Sequence, residues 1–406
     1  MKGPLSGVRV VEMSTFVAGP AAARLLADMG AEVIKVEVPS GDGWRVSSIS
    51  YAKRFEEKEN PVFDIYNAGK EYVSLNLKTP EGKEAFDKLL ASADVFLTNL
   101  RPAALRRLGI YYDDIKQLYP RLIYAIVLGY GEEGPDADKP AFDTTAFWSR
   151  TGFLRDMAVN GDGYMPVTAP YSVGDTATAY LLMGEVCAAL YRRAVTGEGD
   201  FVSSTLYHNG IFCMGTMVTI AQEGLGNVYP KTRIDHGVPI GSYKCKDGEW
   251  IYLAIGNAKV VLPGIYRIIG HPEFSDDPRF NTPDGRRDNR YELYEYVHKA
   301  FLTKTAAEWE KLAEENDLPL VRMRHFEDVS KDPQAWANGF LEKIEFPNGN
   351  TDVVPTSPIE MNSATPHPTT PAPKPGADTA KVLSRLGYTE AQVEAMIANG
   401  AASVAK

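Results

Sequence analysis

Apolar and polar positions along this chain keep switching between two rhythms. Val8–Met13 reads as a buried first strand, and Glu32–Glu37 reads as the next. Between them Pro20 opens an alanine- and leucine-rich helical stretch, Ala21–Met29, which Gly30 closes. The alternation continues with a strand over Tyr72–Leu77 and a helix from Pro80 to Leu90 capped by Thr79. A strand over Val95–Asn99, a short basic helix over Arg101–Gly109 and a strand over Leu122–Gly131 follow. Strands interleaved with helices predict an open α/β sheet with ligand sites at its strand ends.

The longest helical pattern follows Asp175. Leu181, Leu182, Val186, Ala189, Leu190 and Ala194 recur at helical spacing, and Gly197 stops the run. Asp175 therefore sits at the mouth of a helix. As an N-cap it would accept the first free amides. As a nucleophile it would use the bare Gly174 beside it to let a substrate approach.

Beyond a strand over Phe201–Leu206 and a helical segment near 209–222, turn residues crowd 224–241 and the pattern changes. Short strands at Ser242–Cys245 and Trp250–Ile255 precede helices over Pro263–Gly270, Arg290–Leu302 and Ala306–Asn316, a small α+β arrangement. A hairpin over Phe346–Val354, a proline-rich stretch over Thr365–Pro375 and two short helices, Thr379–Leu386 and Thr389–Ala398, complete the sequence. The expected organisation is a large domain begun by 1–223, a linker at 224–241, a small domain at 242–330, and a return to the large domain over 331–406.

A length of 406 residues exceeds one ordinary core, which supports two domains. The net charge of −10 argues against general nucleic-acid binding, and no apolar run is long enough to span a bilayer. The three cysteines, Cys187, Cys213 and Cys245, are too widely spaced for a zinc site or a disulfide framework. They point to a reducing cytoplasm and to no metal. Ser14–Pro20 offers one glycine where a dinucleotide fingerprint needs three, so a nicotinamide cofactor is not expected.

Several short segments, in order and spacing, resemble the class III CoA-transferases, the formyl-CoA and carnitine-CoA transferase family. They are Leu5–Glu12, Ala18-Gly19-Pro20, Leu26–Glu37, Leu75–Gly82, Ala93-Asp94-Val95 with Asn99, Gly174-Asp175, Thr196–Gly199 and Val382–Tyr388. The resemblance implies a Rossmann-like large domain with a smaller α+β domain, in an interlocked homodimer. It implies coenzyme A as a substrate, exchanged between an acyl-CoA and a carboxylic acid, with Asp175 as the nucleophile. By position in the family's pattern, Ala18, Leu75, Lys78, Asn99, Arg107 and Lys139 would contact coenzyme A.

Where formyl-CoA transferase has glutamine, this chain has Val17, and Gly237–Gly241 stands where the family's tetraglycine lid would lie. An apolar Val17, with Phe147 and Trp148 as pocket candidates, implies a larger acyl group than formyl or oxalyl. The segments Tyr130–Asp136 and Phe142–Phe147 are most similar to the branch acting on phenyllactate and other 2-hydroxy acids or acrylates, in amino-acid fermentation. Two rival readings stand beside this one. An α-methylacyl-CoA racemase shares the fold but needs a histidine where this chain reads Ala141-Phe142-Asp143. A CoA-binding module without turnover would leave Asp175 as a helix cap only.

Overall fold

Segments buried on both faces suit a parallel sheet, and apart from the partly buried edge segment Asp200–Thr205 that is the pattern of the six strands that build its body. They are β1 (Arg9–Met13), β2 (Glu32–Glu37), β3 (Lys70–Leu75), β4 (Val95–Thr98), β5 (Ile123–Leu128) and β6 (Asp200–Thr205). In the computed structural model, which describes residues 3–56, 58–157, 167–226, 229, 231, 234 and 237–405, they pair in parallel. A seventh strand, β12 (Ala402–Ser403), pairs antiparallel with β3. The order is β12-β3-β2-β1-β4-β5-β6, so the chain winds outward in both directions from the β1/β4 pair.

Helices cover both faces. One side is packed by α1 (Ala18–Asp28) and α4 (Val173–Thr196), around Val10, Val33, Leu97, Ala179, Leu182 and Val186. The other carries α2 (Pro80–Ala91) with the carboxy-terminal helices Thr379–Arg385 and Glu390–Ala398, around Ile34, Phe86, Phe96, Leu383 and Met396. Thr79 caps α2 by accepting from the Gly82 amide, with proline at the first helical position. These elements and the β10–β11 hairpin (Leu341–Glu345, Thr351–Pro355) belong to one compact unit, residues 1–151, 169–218 and 332–406.

The second unit holds residues 152–168 and 219–331. A three-stranded antiparallel sheet, β7 (Gly241–Lys244), β8 (Trp250–Leu253) and β9 (Leu320–Arg322), packs with helices Ala258–Ile268, Arg290–Phe301 and Ala306–Glu314. Its own core includes Ile251, Tyr266, Phe280, Phe301 and Trp309. Of the expected linker, 227, 228, 230, 232, 233, 235 and 236 lie outside the described residues.

Candidate active site

Neighbouring strands β1 and β4 send their connections to opposite sides of the sheet, and a crevice opens beyond their carboxyl ends. A cavity of about 540 Å³ occupies it, lined by Thr15–Ala18 after β1, by Asn99, Arg101 and Pro102 after β4, and by Val127–Gly129 at the end of β5. The loop after β1 is held firmly. Asn99 donates to the Thr15 carbonyl at 2.6 Å and accepts from the Thr15 amide at 2.9 Å.

Beneath this loop lies a fully buried ionic cluster. Lys35 reaches Glu12 at 2.9 Å and Asp42 at 3.1 Å, while Lys70 reaches the other Glu12 oxygen at 2.8 Å. Burial alone would push the Glu12 carboxyl up, but the two ammonium groups outweigh it and hold the pKa at about 2. The cluster steers backbone as well. Lys35 donates to the Ser14 carbonyl at 3.0 Å, and Asp42 accepts from the amides of Phe16 at 3.1 Å and Trp44 at 2.9 Å. Phe16 is thereby kept at φ 64°, a left-handed conformation that side chains disfavour.

Asp175 lines the cavity from the first turn of α4. It is not the N-cap of that helix. Ser172 holds that place, and it too is left-handed, at φ 64°, with no capping bond from its side chain. A second carboxylate, Asp143, faces the helix start from the π-helical segment Asp143–Ser149. The amides of Gly174, Ser172 and Asp175 and the Trp148 indole favour its charged form, yet none of those amides meets its oxygens in full hydrogen-bond geometry. Burial wins, and the Asp143 pKa rises to about 6. Asp175 is pushed up to about 7, first by burial and then by the charge of Asp143. Gly174 makes this approach possible, because a Cβ there would lie 2.3 Å from an Asp143 oxygen and 2.4 Å from the Phe147 ring.

Above the carboxylates runs a chain of aromatic rings, Phe142–Phe16–Trp44–Tyr51–Tyr171, with successive centroids 5.8, 5.6, 5.6 and 5.1 Å apart. All five line the cavity, and Arg101 and Lys139 bring positive charge to it. Lys139 pairs with Asp136, which also binds Arg150. The site thus joins a basic carboxylate, an apolar wall and cations, which suits an acyl group attached to an anionic carrier.

Of the residues singled out from sequence, Asp175, Val17, Ala18, Asn99 and Lys139 converge on this cavity. The others do not line it. Leu75 is fully buried in β3, Lys78 is exposed just beyond that strand, and Arg107 is exposed at the end of α3 (Pro102–Arg107). Phe147 and Trp148 are buried, with the Phe147 ring against Gly174, so they support the helix start instead of lining the pocket. Asp143, Trp44, Tyr51 and Tyr171 were not foreseen as site residues. Among the described residues no helix is long and apolar enough to cross a membrane, and no group of three or more His, Cys, Asp or Glu side chains could hold a metal ion.

Comparison with known proteins gives this geometry its class. The model of CoA-transferase family III matches residues 5–379, and the chain belongs to that family. It is 42% identical over 390 residues to the (R)-2-hydroxy-4-methylpentanoate CoA-transferase of Clostridioides difficile, covering 96% of this chain and 97% of that one. It is 37% identical to the cinnamoyl-CoA:phenyllactate CoA-transferase of Clostridium sporogenes, over 96% and 95% of the two chains. Among solved structures it is similar to a point mutant of Rv3272 from Mycobacterium tuberculosis, with a TM-score of 0.82 and 28% identity over 95% of this chain and 99% of the other. The protein is a CoA-transferase of mixed α/β fold.

Proposed function

We propose that this enzyme moves coenzyme A between carboxylic acids that carry a branched alkyl or aryl group, with a 2-hydroxy acid or the matching acrylate as acceptor. The observation that carries the reading is Asp175, a carboxylate with its pKa raised to about 7, opening into an apolar, aromatic-walled cavity at the sheet's switch point. A raised pKa makes the ionised form more basic and so a better nucleophile. The similarity to transferases for 2-hydroxy-4-methylpentanoate and phenyllactate supports the same substrate class.

In this reading an Asp175 oxygen attacks the thioester carbonyl of the donor, the C–S bond breaks, and coenzyme A leaves as thiolate. The thiolate attacks the Asp175 carbonyl of the mixed anhydride. The anhydride C–O bond breaks, the donor acid leaves as carboxylate, and an aspartyl-CoA thioester remains. The acceptor carboxylate then displaces the thiolate to form a second anhydride. Thiolate attack on the acceptor's carbonyl releases the new acyl-CoA and restores Asp175. Water must be kept out while an anhydride exists, and the aromatic wall serves that purpose. Oxyanion stabilisation cannot rest on the first amides of α4 alone, since Asp143 already faces them.

Arg101, Lys139, Asn99 and Ala18 are the contacts we assign to coenzyme A from the cavity side, while Leu75, Lys78 and Arg107 keep that assignment only through their positions in the family pattern. We further propose the large and small domains divided at 224–241, and an interlocked homodimer. Exposed apolar residues on and beyond α4, such as Tyr191, Val195 and Phe212, suit burial by a second copy.

A matrix of cinnamoyl-CoA and short acyl-CoAs against phenyllactate, 2-hydroxy-4-methylpentanoate, isocaproate and lactate, read by mass spectrometry, tests substrate class. Exclusive use of short, unbranched acids would defeat it. Asp175→Asn tests the nucleophile: transfer and hydroxylamine-sensitive labelling of the enzyme should both vanish. Solvent deuterium entering the α-carbon without any acceptor would instead favour racemase chemistry.

A further inference from the structure

Among the described residues, three that are not glycine adopt a left-handed backbone: Phe16, Ser172 and Asp317. Phe16 is the bulkiest of them, and for a bulky side chain this conformation is a marked outlier. Strained backbone persists only where the surroundings impose it. Asn99 fixes the preceding Thr15 by its amide and its carbonyl. The Phe16 amide goes to a different partner, the Asp42 Oδ1 atom at 3.1 Å, 26 positions along the chain.

The same Asp42 oxygen accepts from the Trp44 amide at 2.9 Å. That second bond is ordinary, since an aspartate at a turn commonly takes the amide two residues on. The bond to Phe16 is not, because it joins the loop after β1 to the loop after β2. Asp42 is buried and held from both ends. Its Oδ2 faces the Lys35 ammonium at 3.1 Å, and its amide donates at 2.9 Å to Glu37 Oε2, which Arg45 grips in turn. One fixed oxygen thus registers the backbones of two aromatic residues. Their ring centroids lie 5.6 Å apart, and the Phe16 ring rests over Gly43, where a Cβ would stand 3.8 Å from it. Both rings line the cavity that Asp175 also lines.

We propose that Asp42 is a positioning residue that sets acyl selectivity: by holding Phe16 left-handed and in register with Trp44, it keeps the two rings as one wall of the cavity. A broad apolar acyl group reaches that wall and gains from it, whereas a short one does not. With the tie cut, Phe16 returns to an ordinary backbone, its ring leaves Trp44, and the broad group loses its advantage. This inference rests on the proposed reading of the cavity as the acyl site.

The test uses the full-length enzyme and three variants: Asp42→Asn, which removes the charge at nearly constant size, Phe16→Gly, which accepts a positive φ without strain but has no ring, and the double variant. The readout is kcat/KM for cinnamoyl-CoA divided by kcat/KM for butyryl-CoA with one acceptor throughout, measured alongside thermal melting. The ratio should fall roughly tenfold to a hundredfold in each single variant, the scale on which an apolar pocket discriminates. The double variant should fall no further than the poorer single, because both changes dismantle one wall. Asp42→Asn should also lower the melting temperature less in the Phe16→Gly background than alone, since glycine needs no tie. If Asp42→Asn alone does not fold, recovery of folding by Phe16→Gly supports the tie, and failure in both backgrounds overturns it. An unchanged ratio in folded Asp42→Asn, or losses that multiply, would overturn the proposal. The wild type separates the two ideas. If it shows no preference for cinnamoyl-CoA, the reading of the acyl cavity falls and the proposal with it; if the preference is present and survives in Asp42→Asn, only the role of Asp42 falls.

Discussion

Replacing Asp143 by asparagine is the most direct probe of how the site prepares its carboxylate. The asparagine keeps an oxygen that can face the α4 amides but carries no charge. Asp175 rises from 3.8 to about 7 for two reasons, burial first and the Asp143 charge second. The charge therefore accounts for less than half of a rise of roughly three units, and its removal should lower the Asp175 pKa by about one unit. In the proposed mechanism the ionised Asp175 carboxylate is the nucleophile, so the wild-type rate is expected to climb with pH through about 7. At pH 6 a group of pKa about 7 is roughly one-tenth ionised, and a group of pKa about 6 is half ionised. The variant should then gain about fivefold over wild type in relative rate at pH 6, each normalised to its own plateau, and almost nothing above pH 8. The assay is a pH profile of initial transfer rate at constant ionic strength. An acid limb that stays in place, or moves upward, would refute the coupling of the two carboxylates.

Stability should respond with a definite sign. Both carboxylates have folded pKa values above the ordinary 3.8, so the stability they contribute is fully present below pH 4 and is lost as pH rises through about 6 and 7. Asp143→Asn should accordingly raise the melting temperature relative to wild type more at pH 8 than at pH 5. Gly174→Ala would favour a helix on propensity alone by about 1 kcal/mol. The added Cβ collides with Asp143 and Phe147, however, so a net loss of about 1–3 kcal/mol and a steep fall in kcat are expected from denaturant titration and kinetics. Lys35→Met would leave the buried Asp42 without its counter-ion and Glu12 with Lys70 alone. A loss of about 3–5 kcal/mol in chemical denaturation is the expected result, and a variant of unchanged stability would show that the cluster is not held by its charges.

The alternating β–α reading of the first 130 residues and the position of Asp175 at a helix start were legible because periodicity, proline and glycine mark them locally. Asp143 was not. It lies 32 positions before Asp175 on a π-helical segment with no hydrophobic period, and only the fold brings it to the start of α4. The aromatic wall was hidden for the same reason, since Trp44 and Tyr51 lie on two four-residue helical turns after β2, too short to show an apolar period. Phe147 and Trp148 show the converse: large aromatic rings near a site pack beneath it as readily as they line it. The ionic cluster did have a signal, a lysine and a glutamate placed inside strands that a parallel sheet buries on both sides. Sequence alone could not say that each would find its counter-ion.

The two-residue strand β12 has a consequence for how the enzyme comes into being. During synthesis, β1 to β6 leave the ribosome long before Ala402 and Ser403 arrive to cover the open side of β3. Until then a nearly finished sheet carries an unpaired edge, the feature that invites pairing with other chains. Closure of this edge therefore waits for residues made well after the body of the sheet, and blocking those few hydrogen bonds should cost soluble yield before it costs catalysis.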